Sequence, residues 1–198
     1  QYSYIDYASP YHPTVNQRGM VVSQNIDSSK IGIEILDMGG NAIDAAVAVG
    51  FSLAVTLPRA GNLGGAGFML VYLKERDEII AVDYLGSSPR NSNIQDLFGV
   101  KLPRNYEKAD RDIVRYGYKA STVPGTVAGL LEAHANFGRL PLSMVLKPVI
   151  EQARNGIKVS YDLYMALESS SQLKKNKESR KIFFSNGSAV KENTILTR

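Results

Sequence analysis

Residues 39–70 read GGNAIDAAVAVGFSLAVTLPRAGNLGGAGFML, and their order decides the fold: a nearly uncharged helix, a glycine-dense loop, then a strand. Asn41 is a residue type whose side-chain oxygen caps a helix, and Pro58 ends one. Between them, AIDAAVAVGFSLAV is apolar all round except at Asp44. Such a helix belongs in the interior of a layered domain. Ala42, Ala45, Ala46, Ala48 and Gly50 leave little side chain on its surface, so a neighbouring sheet or helix can approach closely. The loop Gly61-Asn62-Leu63-Gly64-Gly65-Ala66-Gly67 fits neither phosphate motif it superficially resembles. No lysine follows it, as a phosphate loop requires; a dinucleotide fingerprint needs strand before and helix after, whereas here the order is reversed and Leu70 takes the third glycine position. Two roles remain: a turn where backbone packs on backbone, or one whose N–H groups face a ligand oxyanion.

Downstream, Phe68–Leu73 and Glu78–Leu85 are rich in β-branched and aromatic residues, and the charged run Lys74–Asp77 joins them as a hairpin. Gly86–Arg90 breaks the pattern, and 91–120 is a polar surface excursion. Val123-Pro124-Gly125-Thr126-Val127-Ala128-Gly129 opens a helix that runs to about Asn136 and closes at Phe137-Gly138. Pro141–Gly156 reads as helical with a break near Pro148, its apolar Val145, Val149, Ile150 and Ala153 on one face. Residues 160–173 carry a third helical pattern, and the chain then turns polar around Ile182-Phe183-Phe184 without a closing element. Upstream, residues 1–18 hold four tyrosines and two prolines with no period, an extended arm. Residues 19–24, GMVVSQ, read as a strand. Asp27 and Ser28 are cap types for a helix whose Ile31, Ile35 and Met38 share a side, ended by Gly39-Gly40.

The 198 residues suffice for a sizeable core, and 44% hydrophobic with 21% charged content excludes wholesale disorder. The net charge of +4 is small, and its densest cluster, Lys174, Lys175, Lys177, Arg180 and Lys181, is interrupted by Glu178. No basic stripe interleaves with aromatics, so no nucleic-acid partner is expected. Without cysteine there are no disulfides, thiol nucleophiles or thiolate metal sites. His12 and His134 are too isolated for a metal site, and His134 reads as a surface residue. The charge-free stretch Ala45–Pro58 is shorter than the roughly 18 residues a membrane span needs. Gln1, with no Met before it, reads as a processed or trimmed start. Asn186-Gly187-Ser188 is a glycosylation sequon, a triplet frequent by chance.

The glycine stretch with its following VYL, then AVDY at 81–84, VPGTVAGL at 123–130 and ARNGIKVS at 153–160, in this order, resemble the start of the large subunit of γ-glutamyltranspeptidases. The resemblance is strong from about Gly19 to Gly156. It implies an α/β (α+β) fold, a portion of the αββα four-layer sandwich of N-terminal-nucleophile hydrolases, with residues 19–198 an incomplete domain behind the 1–18 arm. It further implies a self-cleaving precursor whose new N-terminal threonine, on a small subunit, attacks a γ-glutamyl amide of glutathione type. The acyl-enzyme so formed is resolved by water or an acceptor amine. The free α-amine serves as base for its own hydroxyl, so neither cofactor nor metal is called for.

No Thr-Thr-His-Tyr-like stretch occurs here, and Thr194 and Thr197 have other neighbours, so no catalytic residue is expected in this chain. The expected partners are the small subunit with the threonine, the rest of the large subunit, and a small-molecule amide substrate. A periplasmic or secreted location follows from the same resemblance.

One departure stands out. The family pattern at this strand end is like Asp-Phe-Arg-Glu, with the arginine binding the substrate α-carboxylate through its planar fork of donors. The matching residues are Asp83-Tyr84-Leu85-Gly86. Leu85 is therefore a substrate-binding position with the family arginine missing. Arg90 is the nearest substitute cation in sequence and Arg59 another. Three readings stay open: an amidohydrolase with altered acyl specificity, an orthodox glutathione enzyme using a substitute cation, and a non-enzymatic homologue retained for assembly or binding.

Overall fold

The computed structural model describes residues 15–92, 116 and 120–197; nearly all of the expected arm and excursion lie outside them. The described elements are α1 (Ile26–Asp37), α2 (Ala42–Thr56), β1 (Gly67–Leu73), β2 (Glu78–Tyr84), α3 (Thr126–Phe137) and α4 (Leu142–Asn155). Smaller ones follow: β3 (Ile157–Lys158), α5 (Tyr161–Ser169), α6 (Ser171–Lys175), α7 (Lys177–Phe183), β4 (Phe184–Ser185), β5 (Ser188–Ala189) and β6 (Ile195–Leu196).

Asn41 begins α2 as its side chain accepts from the Ile43 and Asp44 N–H groups, while Asp44 reaches back to the Asn41 N–H, closing a capping box. Asp44 does more than cap. Fully buried, it also accepts from the backbone N–H groups of Arg139 (3.0 Å) and Leu140 (3.2 Å), and so ties the α3–α4 connection to the start of α2. Asn41 adds a bond from its Nδ2 to the Phe137 carbonyl. Further along α2, Ser52 and Thr56 join Ser28 of α1 and Gln152 of α4 in a chain of hydroxyl hydrogen bonds. The polar groups of this interior are thus satisfied, as buried polar groups must be if they are not to destabilise it. Around them Ile31, Ile35, Val47, Leu130, Val145 and Val149 form the main core. A second cluster, built on Val159, Leu163, Leu167 and Phe184, meets the first through Val55.

β1 and β2 pair antiparallel in the register Gly67↔Tyr84 to Leu73↔Glu78. Val71, with Met69 and Val82, turns to the helical core. The other face carries Phe68, Leu70, Tyr72 and Ile79, all exposed, Leu70 at 75% and Ile79 at 72%. The run GFMLVYL is continuously apolar rather than alternating, the pattern of a strand destined for cover on both faces. Helices cover one of them here.

Several expectations are corrected. Residues 19–24 form no ladder: burial alternates along them as in a strand, but no described neighbour supplies the hydrogen bonds. The cap of α1 is Asn25, which accepts from the Asp27 and Ser28 N–H groups, rather than either of those residues. α4 runs unbroken through Pro148, whose ring is buried in the helix's contact face, and Ile150 is exposed instead of joining Val145 and Val149 in the core. The pattern at 160–173 divides into α5 and α6, because Ser170 leaves helical geometry and caps the second piece. His134 is not a surface residue: its side chain is 12% exposed, 3.5 Å from Asp44, with Nε2 2.9 Å from the Leu140 carbonyl. The tail closes back on the domain through β6, paired with β3. Asn186-Gly187, with φ of 50° and 81°, forms the tight turn of the β4–β5 hairpin, so the sequon there has a local structural reason.

Candidate functional site

The three motifs far apart in sequence meet at the end of β2. The Gly65 carbonyl of the glycine loop accepts from the Gly125 N–H (3.0 Å) and the Thr126 N–H (3.1 Å), which seats the loop on the start of α3. Ser87, just past β2, bridges Val123, whose N–H donates to the Ser87 carbonyl at 2.8 Å. Gly86 faces Thr122: a Cβ at 86 would stand 2.8 Å from the Thr122 Oγ1. At Gly65 the loop therefore packs backbone against backbone, and at Gly67 backbone against the Tyr84 ring.

Leu85 lies one residue beyond β2 rather than inside it. Its N–H donates to the Asp83 Oδ1 at 2.9 Å, while the residue is 61% exposed. It stands at the surface where the glycine loop, the hairpin and α3 come together. Arg90 is exposed in the segment that follows, and no ion pair to it occurs among the described residues. Arg59 is engaged elsewhere: its Nε and Nη2 donate to the two carboxylate oxygens of Asp162 at 2.6 and 2.9 Å. A guanidinium held in that two-pronged pair is not free to take a second carboxylate in the same manner.

Tyr84, which sequence reading passed over, is the most closely held residue of the group. Its ring lies inward against Gly129 of α3 and Gly67 of β1, and its hydroxyl approaches the Phe68 carbonyl at 3.4 Å. Burial raises its phenol pKa above the ordinary value of 10.0. The signal in the sequence was the spacing of Gly125 and Gly129, one helical turn apart, which leaves a flat place on the first turn of α3. Among the described residues no group of three metal-ligating side chains comes together, and no helix is long and apolar enough to cross a membrane.

A family model described as gamma-glutamyltranspeptidase matches residues 28–198. The glutathione hydrolase proenzyme of Escherichia coli K12 is 37% identical over 190 residues, which is 95% of this chain and 32% of that protein. The acylase ACY 1 proenzyme of Pseudomonas sp. V22 is 36% identical over 157 residues, 78% of this chain and 28% of that protein. Among solved structures, Helicobacter pylori gamma-glutamyltranspeptidase superposes with a TM-score of 0.83 at 32% identity, covering 94% of this chain and 52% of that one. The chain thus spans about a third of the length of the curated relatives it matches.

Proposed function

This chain belongs to the γ-glutamyltranspeptidase family, and from that premise we propose that the full protein is an amidohydrolase or acyltransferase whose acyl specificity departs from γ-glutamyl at Leu85. The nucleophile in this reading is a threonine outside the chain, which attacks the substrate amide and passes the acyl group to water or to an acceptor amine. The small subunit carrying it covers the apolar outer face of the hairpin, where Phe68, Leu70, Tyr72 and Ile79 are exposed. An exported location, periplasmic or secreted, belongs to the same reading.

The observation that carries the proposal is Leu85 itself, exposed where the family resemblance implies an arginine for the substrate carboxylate. A hydrogen bond to a charged group contributes roughly 1.5–3 kcal/mol, so its loss weakens carboxylate recognition on the order of ten- to a hundredfold. Leucine also presents an apolar wall to that group. That a relative bears the name acylase supports a non-glutamyl acyl chain as the substrate.

The test assays the full-length protein on γ-glutamyl-p-nitroanilide beside a simple acyl anilide, with and without Leu85→Arg. The proposal expects preference for the acyl anilide and a gain of γ-glutamyl turnover in the variant. Normal γ-glutamyl affinity in the unaltered protein overturns it. Arginine alone is introduced, because a side chain at Gly86 would crowd Thr122. That outcome would favour the second reading, in which Arg90, exposed and without an ion pair among the described residues, binds the carboxylate of an orthodox glutathione substrate.

A further inference from the structure

We propose that Tyr84 is a positioning residue for acyl recognition, clamped by three glycines so that the next residue, Leu85, is held at one place on the site's rim. The inference rests on the reading of position 85 as the acyl-recognition point and adds what holds that point still.

Contacts along the whole length of Tyr84 support it. At its backbone, a Cβ on Gly125 would overlap the Tyr84 carbonyl. At the root of its side chain, a Cβ on Gly129 would overlap the Tyr84 Cβ, Cγ and Cδ1. At the tip of the ring, a Cβ on Gly67 would stand 2.8 Å from Cε2 and 3.1 Å from the hydroxyl oxygen. Three glycines from two separate motifs thus leave room for one flat ring and for little else. The ring is held at its two ends between the first turn of α3 and the first residue of β1, which restricts both side-chain torsions and the peptide that leads to Leu85. The Asp83 carboxylate fixes the Leu85 amide from the other side at 2.9 Å. Leu85 needs such help, since a residue 61% exposed is not located by its own packing. A side chain that must meet a bound acyl group within a fraction of an ångström is best held by a rigid neighbour.

The test is a coupling experiment on the full-length protein, using whichever of the two anilides it turns over better. Tyr84→Phe keeps the ring and is expected to leave KM within about twofold, whereas Tyr84→Leu, which keeps apolar bulk without a flat ring, raises KM about tenfold with kcat little changed. In a Leu85→Ala background the Tyr84→Leu effect shrinks to less than about twofold, because little side chain remains to be positioned. An equal rise of KM in both backgrounds overturns the proposal, as does a lowered melting temperature with KM unchanged. Amide exchange at Leu85 reads the clamp without turnover: it should be at least about tenfold faster in Tyr84→Leu than in Tyr84→Phe, and equal rates overturn the clamp. Failure of the specificity reading looks different: Leu85→Arg leaves acyl preference unaltered while the coupling between positions 84 and 85 is still measured.

Discussion

The start of α2 and the outer face of the β1–β2 hairpin are finished to different degrees. Around Asp44 everything polar has a partner within the chain: its carboxylate takes backbone N–H groups from Asn41, Arg139 and Leu140, with His134 close by. On the hairpin, Phe68, Leu70, Tyr72 and Ile79 present a strip of large apolar side chains with nothing described upon them. A buried charge must be satisfied locally or it unfolds its surroundings, so that region is complete in itself. An apolar face has no directional demand and can be left for another layer to cover, at the cost of a tendency to associate when uncovered. The difference separates a region whose polar demands are met within the chain from one whose apolar surface has no cover among the described residues.

The largest effect should come from breaking the unfinished side. Leu70→Asp in the full-length protein would place an unpaired carboxylate beneath the covering layer, a change costing several kcal/mol. Loss of subunit association by analytical ultracentrifugation is expected, and an intact, active assembly would show that the face is solvent-exposed after all. Next comes the finished side. Asp44→Ala strips three backbone N–H groups of their buried acceptor and should destabilise the protein by about 3 kcal/mol in denaturant titration; a change within the error of the measurement would mean that water replaces the carboxylate.

The smallest effect concerns a charge away from both regions. The Ala189 N–H, at 2.7 Å, and then Lys174 hold the Glu168 carboxyl below its ordinary pKa of 4.5. A depressed carboxyl pKa contributes stability that is present above the ordinary value and is lost as the pH falls through the lowered one. Melting temperature should therefore fall on acidification below 4.5, and fall less in Glu168→Gln. Parallel pH profiles for the two proteins would remove Glu168 from the account.

Much of the fold was legible because it is local. Asn41 announced the start of α2, Gly39 with its φ of 90° ended the preceding helix turn, and the charged run Lys74–Asp77 marked the hairpin. Where reading failed, the deciding partner was remote or missing. Residues 19–24 have strand periodicity, yet a strand is defined by neighbours, and none of the described ones pairs with it. His134 looked solvent-exposed because its sequence neighbours are polar, whereas it turns toward Asp44, ninety residues earlier. Pro148 read as a break, but tertiary packing carries the helix past one missing hydrogen bond.

The candidate site divides in the same way. Sequence alone determined that position 85 is leucine and not arginine, and that two glycine-bearing motifs stand on either side of AVDY in a fixed order, since both are facts of composition along a line. Only the tertiary structure decided that those motifs meet at Tyr84, that Arg59 is taken by Asp162, and that Leu85 stands exposed beside a clamped ring. The physical reason is that covalent order fixes which side chains exist, while contacts across dozens of residues depend on close packing that no local window contains.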